Sequence, residues 1–130
     1  PKPIANFIPE HQGTLRMGYF FYKAKEKNLK INESNFRYRG PIPQSKETAI
    51  LMLADGCEAA LRAMNINATD LEALETISKI INSRQKDGQL DNSNLSIGEI
   101  FLIKRSFLNV WKRIRHRRIQ YPTTKNNTFS

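Results

Sequence analysis

Pro43-Gln44-Ser45-Lys46-Glu47-Thr48-Ala49-Ile50-Leu51-Met52-Leu53-Ala54-Asp55-Gly56-Cys57-Glu58-Ala59-Ala60-Leu61 is the stretch on which the fold turns. Ser45 is a good N-cap and Glu47 sits favourably in the positive first turn. The run Ala49 to Ala54 is apolar on every side, which predicts a helix enclosed by its neighbours and ending near Met64. Asp55 then stands out. A carboxylate buried at the end of such a run has to be neutral, paired or bound to a metal, because an isolated buried charge costs several kcal/mol or more.

Upstream, Pro9 opposes helix at Ile8, so residues 1 to 13 read as an extended entry. Thr14 is placed to cap a helix from Leu15 to about Asn28. A long connection follows, and Gly40-Pro41-Ile42-Pro43 ends it by excluding regular structure just before the Ser45 cap. Downstream, Thr69-Asp70-Leu71-Glu72 is a capping box, and Leu71, Leu74, Ile77 or Ser78, and Ile81 recur at helical spacing to about Lys86, where Gly88 is a C-terminal stop. Ser96-Ile97-Gly98-Glu99 is a second capping box. It opens a last helix to about His116, striped by Ile100, Ile103, Phe107, Val110 or Trp111, and Ile114. No segment has strand periodicity, so the expectation is an all-α domain of about four helices over residues 1–122, with a disordered tail at 123–130.

At 130 residues and 15.0 kDa the chain suits one domain that buries its core without disulfides. The single cysteine, Cys57, is consistent with a reducing cytoplasm, and the six-residue apolar run is far short of the roughly 20 needed to span a bilayer. A start at Pro1 suggests a piece of a longer protein. The net charge of +9 is uneven: up to Glu99 there are 13 basic and 12 acidic residues, beyond it eight and none. The cluster Lys112, Arg113, Arg115, Arg117 and Arg118 is therefore where an electrostatic partner should bind. An anionic membrane surface and a merely solvated helix end compete as readings, with nucleic acid ranked below both.

Few residues are available for chemistry. His116 lies among arginines that repel a metal cation and reads as solvated surface. His11, just before a helix start, has a local potential that favours the neutral ring a metal needs, although an ordinary loop histidine explains it too. Asp55 is equally explained by pairing with Arg62 or Arg16, with Glu58 and Arg62 forming an i,i+4 pair. The aromatic run Tyr19-Phe20-Phe21-Tyr22 is read as core ahead of a base-stacking platform.

Three blocks carry a resemblance: Glu10-His11-Gln12-Gly13-Thr14, Phe36-Arg37-Tyr38-Arg39-Gly40-Pro41-Ile42-Pro43-Gln44-Ser45-Lys46-Glu47-Thr48-Ala49-Ile50, and Ala54-Asp55-Gly56-Cys57-Glu58-Ala59. With Asp87-Gly88-Gln89-Leu90 and Ile119-Gln120-Tyr121-Pro122, the chain resembles the closing part of the HD-type metal-dependent phosphohydrolase domain of bacterial seven-transmembrane HD receptors. The resemblance implies a helical HD domain, cytoplasmic and tethered to the inner membrane, that hydrolyses a cyclic dinucleotide, cyclic di-AMP, to the linear form with two divalent ions, iron or manganese. It implies that His11 and Asp55 are metal ligands. Ser45 and Lys46, about 15 Å along the helix from Asp55, would meet a distal phosphate.

The chain departs from the family pattern at Gln12, where a second histidine is the rule, and it lacks the His-Asp dyad, which belongs upstream. The 130 residues alone should therefore be inactive and hold no metal, with the upstream half of the domain as their partner. The alternative is a non-catalytic helical regulatory module from a truncated or degenerate HD domain, binding a partner or membrane. A homo-oligomer formed by exchange of helices is open as well.

Overall fold

The structure, a computed structural model, describes residues 9–27 and 32–120. Their regular structure is helical, with no strand among them. Among the described residues four longer α-helices follow one another: α1 over Gly18–Glu26, α2 over Lys46–Arg62, α3 over Asp70–Lys86 and α4 over Ile97–Gln120. A helical turn at residues 9–12 and a 3-10 turn at Glu33–Phe36 complete the set. The expected all-α fold is the one found. No helix among the described residues is long and apolar enough to cross a membrane. The chain divides into two compact units, one from Pro1–Leu53 with Asn82–Leu95, the other from Ala54–Ile81 with Ser96–Ser130. The tail expected at 123–130 lies outside the described residues.

Local chemistry sets the helix ends. Ser45 Oγ accepts from the Thr48 amide at 3.2 Å and starts α2. The Glu72 amide donates to Thr69 Oγ1 while Glu72 Oε1 accepts from the Thr69 amide, both at 3.1 Å. Ser96 and Glu99 make the same reciprocal exchange at 3.0 Å. These are two complete capping boxes, each satisfying amides that a helix start otherwise leaves open. At the end of α3, Gly88 at φ +77° lets the Gln89 amide reach Arg84 O and the Gly88 amide reach Gln85 O. This is a Schellman stop.

Four expectations are corrected. Thr14 does not cap a helix: it lies in a turn, and residues 15–17 are taken up in a bridge, because Tyr38 N donates to Leu15 O and Met17 N donates to Phe36 O, joining Arg16 to Arg37. Backbone groups committed to that bridge are withdrawn from a helix, so α1 starts only at Gly18, with no side-chain cap. The apolar run of α2 is not enclosed on every side: Ala49, Met52 and Leu53 are buried, whereas Ile50 and Leu51 are more than a third exposed. The stripe of α3 runs through Ala73, Ile77 and Ile81, leaving Leu71 at 64% exposure. Finally, α4 continues to Gln120, a turn beyond His116. Of the aromatic run, only the side chain of Tyr22 is described. It is exposed, with the Arg16 guanidinium 5.7 Å from its ring centre.

Candidate functional site

The first unit carries a dense polar arrangement around the turn that holds His11. Glu10, beside it, is 7% exposed, and its Oε1 accepts from the Gln44 amide at 3.1 Å and from Thr48 Oγ1 at 3.2 Å. A buried carboxylate is costly without such partners, and here it also faces the positive end of α2. The His11 turn is thereby fastened to the start of the helix that carries Asp55 further along. His11 is half-buried, and Gly13 N donates to Pro9 O and Glu10 O to close the turn.

Next to this turn, Gln89 is fully buried and exchanges two hydrogen bonds with Thr14. The Thr14 amide donates to Oε1 at 3.1 Å, and Nε2 donates to Thr14 Oγ1 at 3.0 Å. Nε2 also donates to Asp87 Oδ2 at 2.8 Å. Arg37 grips Asp87 with both terminal nitrogens, at 2.9 and 3.1 Å, and donates to Thr14 O at 2.8 Å and Glu33 at 3.1 Å. The Arg37 guanidinium, aided by the Gln89 amide, holds the Asp87 carboxyl below its usual range against the opposing effect of burial. Asp87 in return raises the affinity of Arg37 for its proton.

Sequence reasoning did not assign a role to Glu10, Arg37, Asp87 or Gln89. Their signal was present only as membership in the quoted blocks, since the partners lie 34 to 75 residues apart.

Asp55 is exposed, not buried. An exposed carboxylate carries no burial cost, so burial does not single Asp55 out. Arg62 pairs with Glu58, as the i,i+4 spacing predicted. Ser45 and Lys46 stand at the start of α2, half-buried. The Ser45 hydroxyl serves as the cap, and the Gln44 amide is already held by Glu10, so the first turn has its own internal anion. Among the described residues no group of three or more His, Cys, Asp or Glu could hold a metal ion.

In the second unit, Lys112 and Arg115 of the basic cluster lie 3.5 and 3.9 Å from Asp70. Arg113, Arg117 and Arg118 are exposed, as is His116.

No family model matches the chain. The cyclic-di-AMP phosphodiesterase PgpH of Listeria monocytogenes is 40% identical over 126 residues, which cover 97% of this chain and 17% of that protein. PgpH of Bacillus subtilis, also a cyclic-di-AMP phosphodiesterase, is 42% identical over 123 residues, covering 94% and 17%. The crystal structure of the L. monocytogenes PgpH HD domain in complex with cyclic-di-AMP matches with a TM-score of 0.81 at 38% identity, over 88% of this chain and 53% of that one.

Homologues of this chain thus include PgpH cyclic-di-AMP phosphodiesterases, together with slr0104 of Synechocystis, an uncharacterized protein 44% identical over 127 residues, 94% of this chain and 16% of that protein. The structural neighbour of this chain is the PgpH HD domain, and the expected resemblance is thereby found in both sequence and fold. The chain spans 16–17% of the length of the curated relatives it matches and about half of the solved PgpH HD-domain chain.

Proposed function

We propose that this chain is the C-terminal portion of an HD phosphodiesterase domain that hydrolyses cyclic di-AMP to the linear dinucleotide, and that it is inactive without the portion supplying the remaining ligands. The observation that carries the reading is the 0.81 TM-score, at 38% identity, to a PgpH HD domain solved with cyclic-di-AMP. That match extends over half of the solved domain, which is why a second half is part of the proposal. In this reading the complete domain is cytoplasmic and tethered to the inner membrane.

An imidazole and an exposed carboxylate are the donor types that a divalent transition metal accepts, and His11 and Asp55 supply one each. Two donors do not complete a site, and among the described residues no group of three or more His, Cys, Asp or Glu could hold a metal ion, so the remaining ligands are assigned to the upstream half. Bound divalent ions, iron or manganese, would polarise the phosphoryl oxygens and make a nucleophile from water near neutral pH.

What this chain contributes is placement. Glu10 fastens the His11 turn to α2, and the Thr14–Gln89–Asp87–Arg37 arrangement fixes the residues that follow it. Asp55 offers a negative charge that balances a cation. Gln12 offers an amide where the family has an imidazole, which weakens one ligand position. Because Glu10 occupies the anion position at the start of α2, any substrate contact there falls to the Lys46 ammonium, with Ser45 as its cap neighbour. The exposed arginines of α4 give an anionic bilayer surface about 1 kcal/mol each.

The test is cleavage of cyclic di-AMP by the chain joined to its upstream sequence and supplied with manganese or iron. His11→Ala and Asp55→Ala should each lower kcat by a hundredfold or more. Equal cleavage by wild type and both variants would sink the assignment. A complete domain that binds cyclic di-AMP without cleaving it would favour the non-catalytic module.

A further inference from the structure

The second unit contains a cavity of about 400 Å³ that the proposed reaction does not use. It lies between the last turns of α2, the turn after it and the middle of α4. Its walls are apolar: Leu61, Met64 and Ile66 on one side, Phe107, Trp111 and Ile114 on the other. The volume is within the range of small-molecule sites, about 300–1,000 Å³, which are typically apolar with a few fixed polar groups.

Those polar groups are mostly cationic. Arg62, Arg115 and Arg118 line the cavity, with Glu58 the one acid among its residues. Glu58 is already committed to Arg62. The Arg115 guanidinium stacks 5.4 Å from the Trp111 ring centre and donates to Ile66 O at 3.4 Å, which holds it at the rim. Arg118 makes no ion pair among the described residues. An apolar interior with an exposed guanidinium at its edge fits a ligand with one alkyl chain and one anionic head.

We propose that this cavity binds a single acyl chain bearing a carboxylate or phosphate, with the chain against Phe107, Trp111 and Ile114 and the head against Arg118 and Arg115. The inference does not use the proposed metal site, whose residues lie outside the cavity lining, although Arg118 is also one of the exposed α4 arginines placed above at an anionic surface.

Trp111 is the sole tryptophan of the chain and lines the cavity, so its emission reports occupancy directly. Laurate brominated on its chain is titrated below its micellar concentration into the 130-residue chain and into the longer protein. The signal is taken as the difference from a Trp111→Phe variant. A second arm uses vesicles of phosphatidylglycerol with brominated chains.

Saturable quenching by free laurate assigns a free acid, and quenching by vesicles alone assigns a membrane lipid. In either arm Arg118→Glu should weaken binding about fivefold or more, and dodecanol should bind more weakly than laurate. Quenching by neither probe overturns the proposal. So does equal binding of laurate and dodecanol unaffected by Arg118→Glu, or quenching that vanishes in the longer protein because another segment fills the cavity.

Discussion

Replacing Gly13 with alanine should be among the most damaging single-methyl additions to this chain. Gly13 has φ +53°, where a side chain costs about 1–2 kcal/mol. A Cβ there would overlap Gln89 Oε1 and stand 2.7 Å from Met52 Cε. Gln89 is fully buried and hydrogen-bonded to Thr14 and Asp87, so it has no free direction in which to retreat. Displacing it breaks hydrogen bonds of a buried amide, at about 1–3 kcal/mol.

The sum is about 2–5 kcal/mol, a large part of the roughly 5–15 kcal/mol that holds a domain folded. Gly88→Ala is the control. It too has positive φ, +77°, but the nearest atom to its Cβ is the Asp91 carboxylate at 3.2 Å, which can swing away. It should cost only the backbone contribution, about 1–2 kcal/mol. Urea unfolding of the two variants, with equal slopes, measures the difference. If Gly13→Ala proved no worse than Gly88→Ala, backbone conformation alone would account for both, and the close approach of Gln89 would carry no energy.

Other consequences follow from single contacts. Asp87 has its folded pKa lowered by Arg37, so its stabilisation is complete above the unfolded value near 3.8 and is lost as pH falls through the lower folded value. Wild type minus Asp87→Asn, measured by melting at pH 5 and then progressively below 3.8, should shrink by about 1 kcal/mol, allowing for solvent screening. Glu10→Ala removes the acceptor of two hydrogen bonds and should cost about 1–3 kcal/mol, whereas Glu10→Gln, which keeps an acceptor oxygen, should cost less; thermal melts distinguish them. Ser96→Ala should cost about 1 kcal/mol through loss of the cap, with α4 otherwise intact by circular dichroism. In the complete domain Lys46→Ala should raise KM for cyclic di-AMP with little effect on kcat, and an unchanged KM would remove Lys46 from the substrate site.

Helix starts at Ser45, Thr69 and Ser96 and the stop at Gly88 were legible because each depends on residues within five positions of one another. Thr14 failed as a cap because its segment pairs with residues about 20 positions away, a competition that no local window registers. The same blindness hid Glu10, whose carboxylate answers to Gln44 and Thr48. Asp55 was misread for a different reason. An unbroken apolar run does not say which of its faces is covered, and Ile50 and Leu51 show that one is not. Neither His11 nor Asp55 could have been chosen from spacing, and the family resemblance alone singles them out.

The Gln89 side chain offers Thr14 a carbonyl for its amide and an N–H for its hydroxyl, side by side. One residue thus satisfies both groups, from 75 positions further along the chain. Thr14 cannot expose its amide to solvent unless the 87–89 turn gives way. Hydrogen–deuterium exchange at Thr14 should therefore proceed at the pace of the Gly88 turn and not at that of an isolated loop, marking the two segments as one cooperative opening unit.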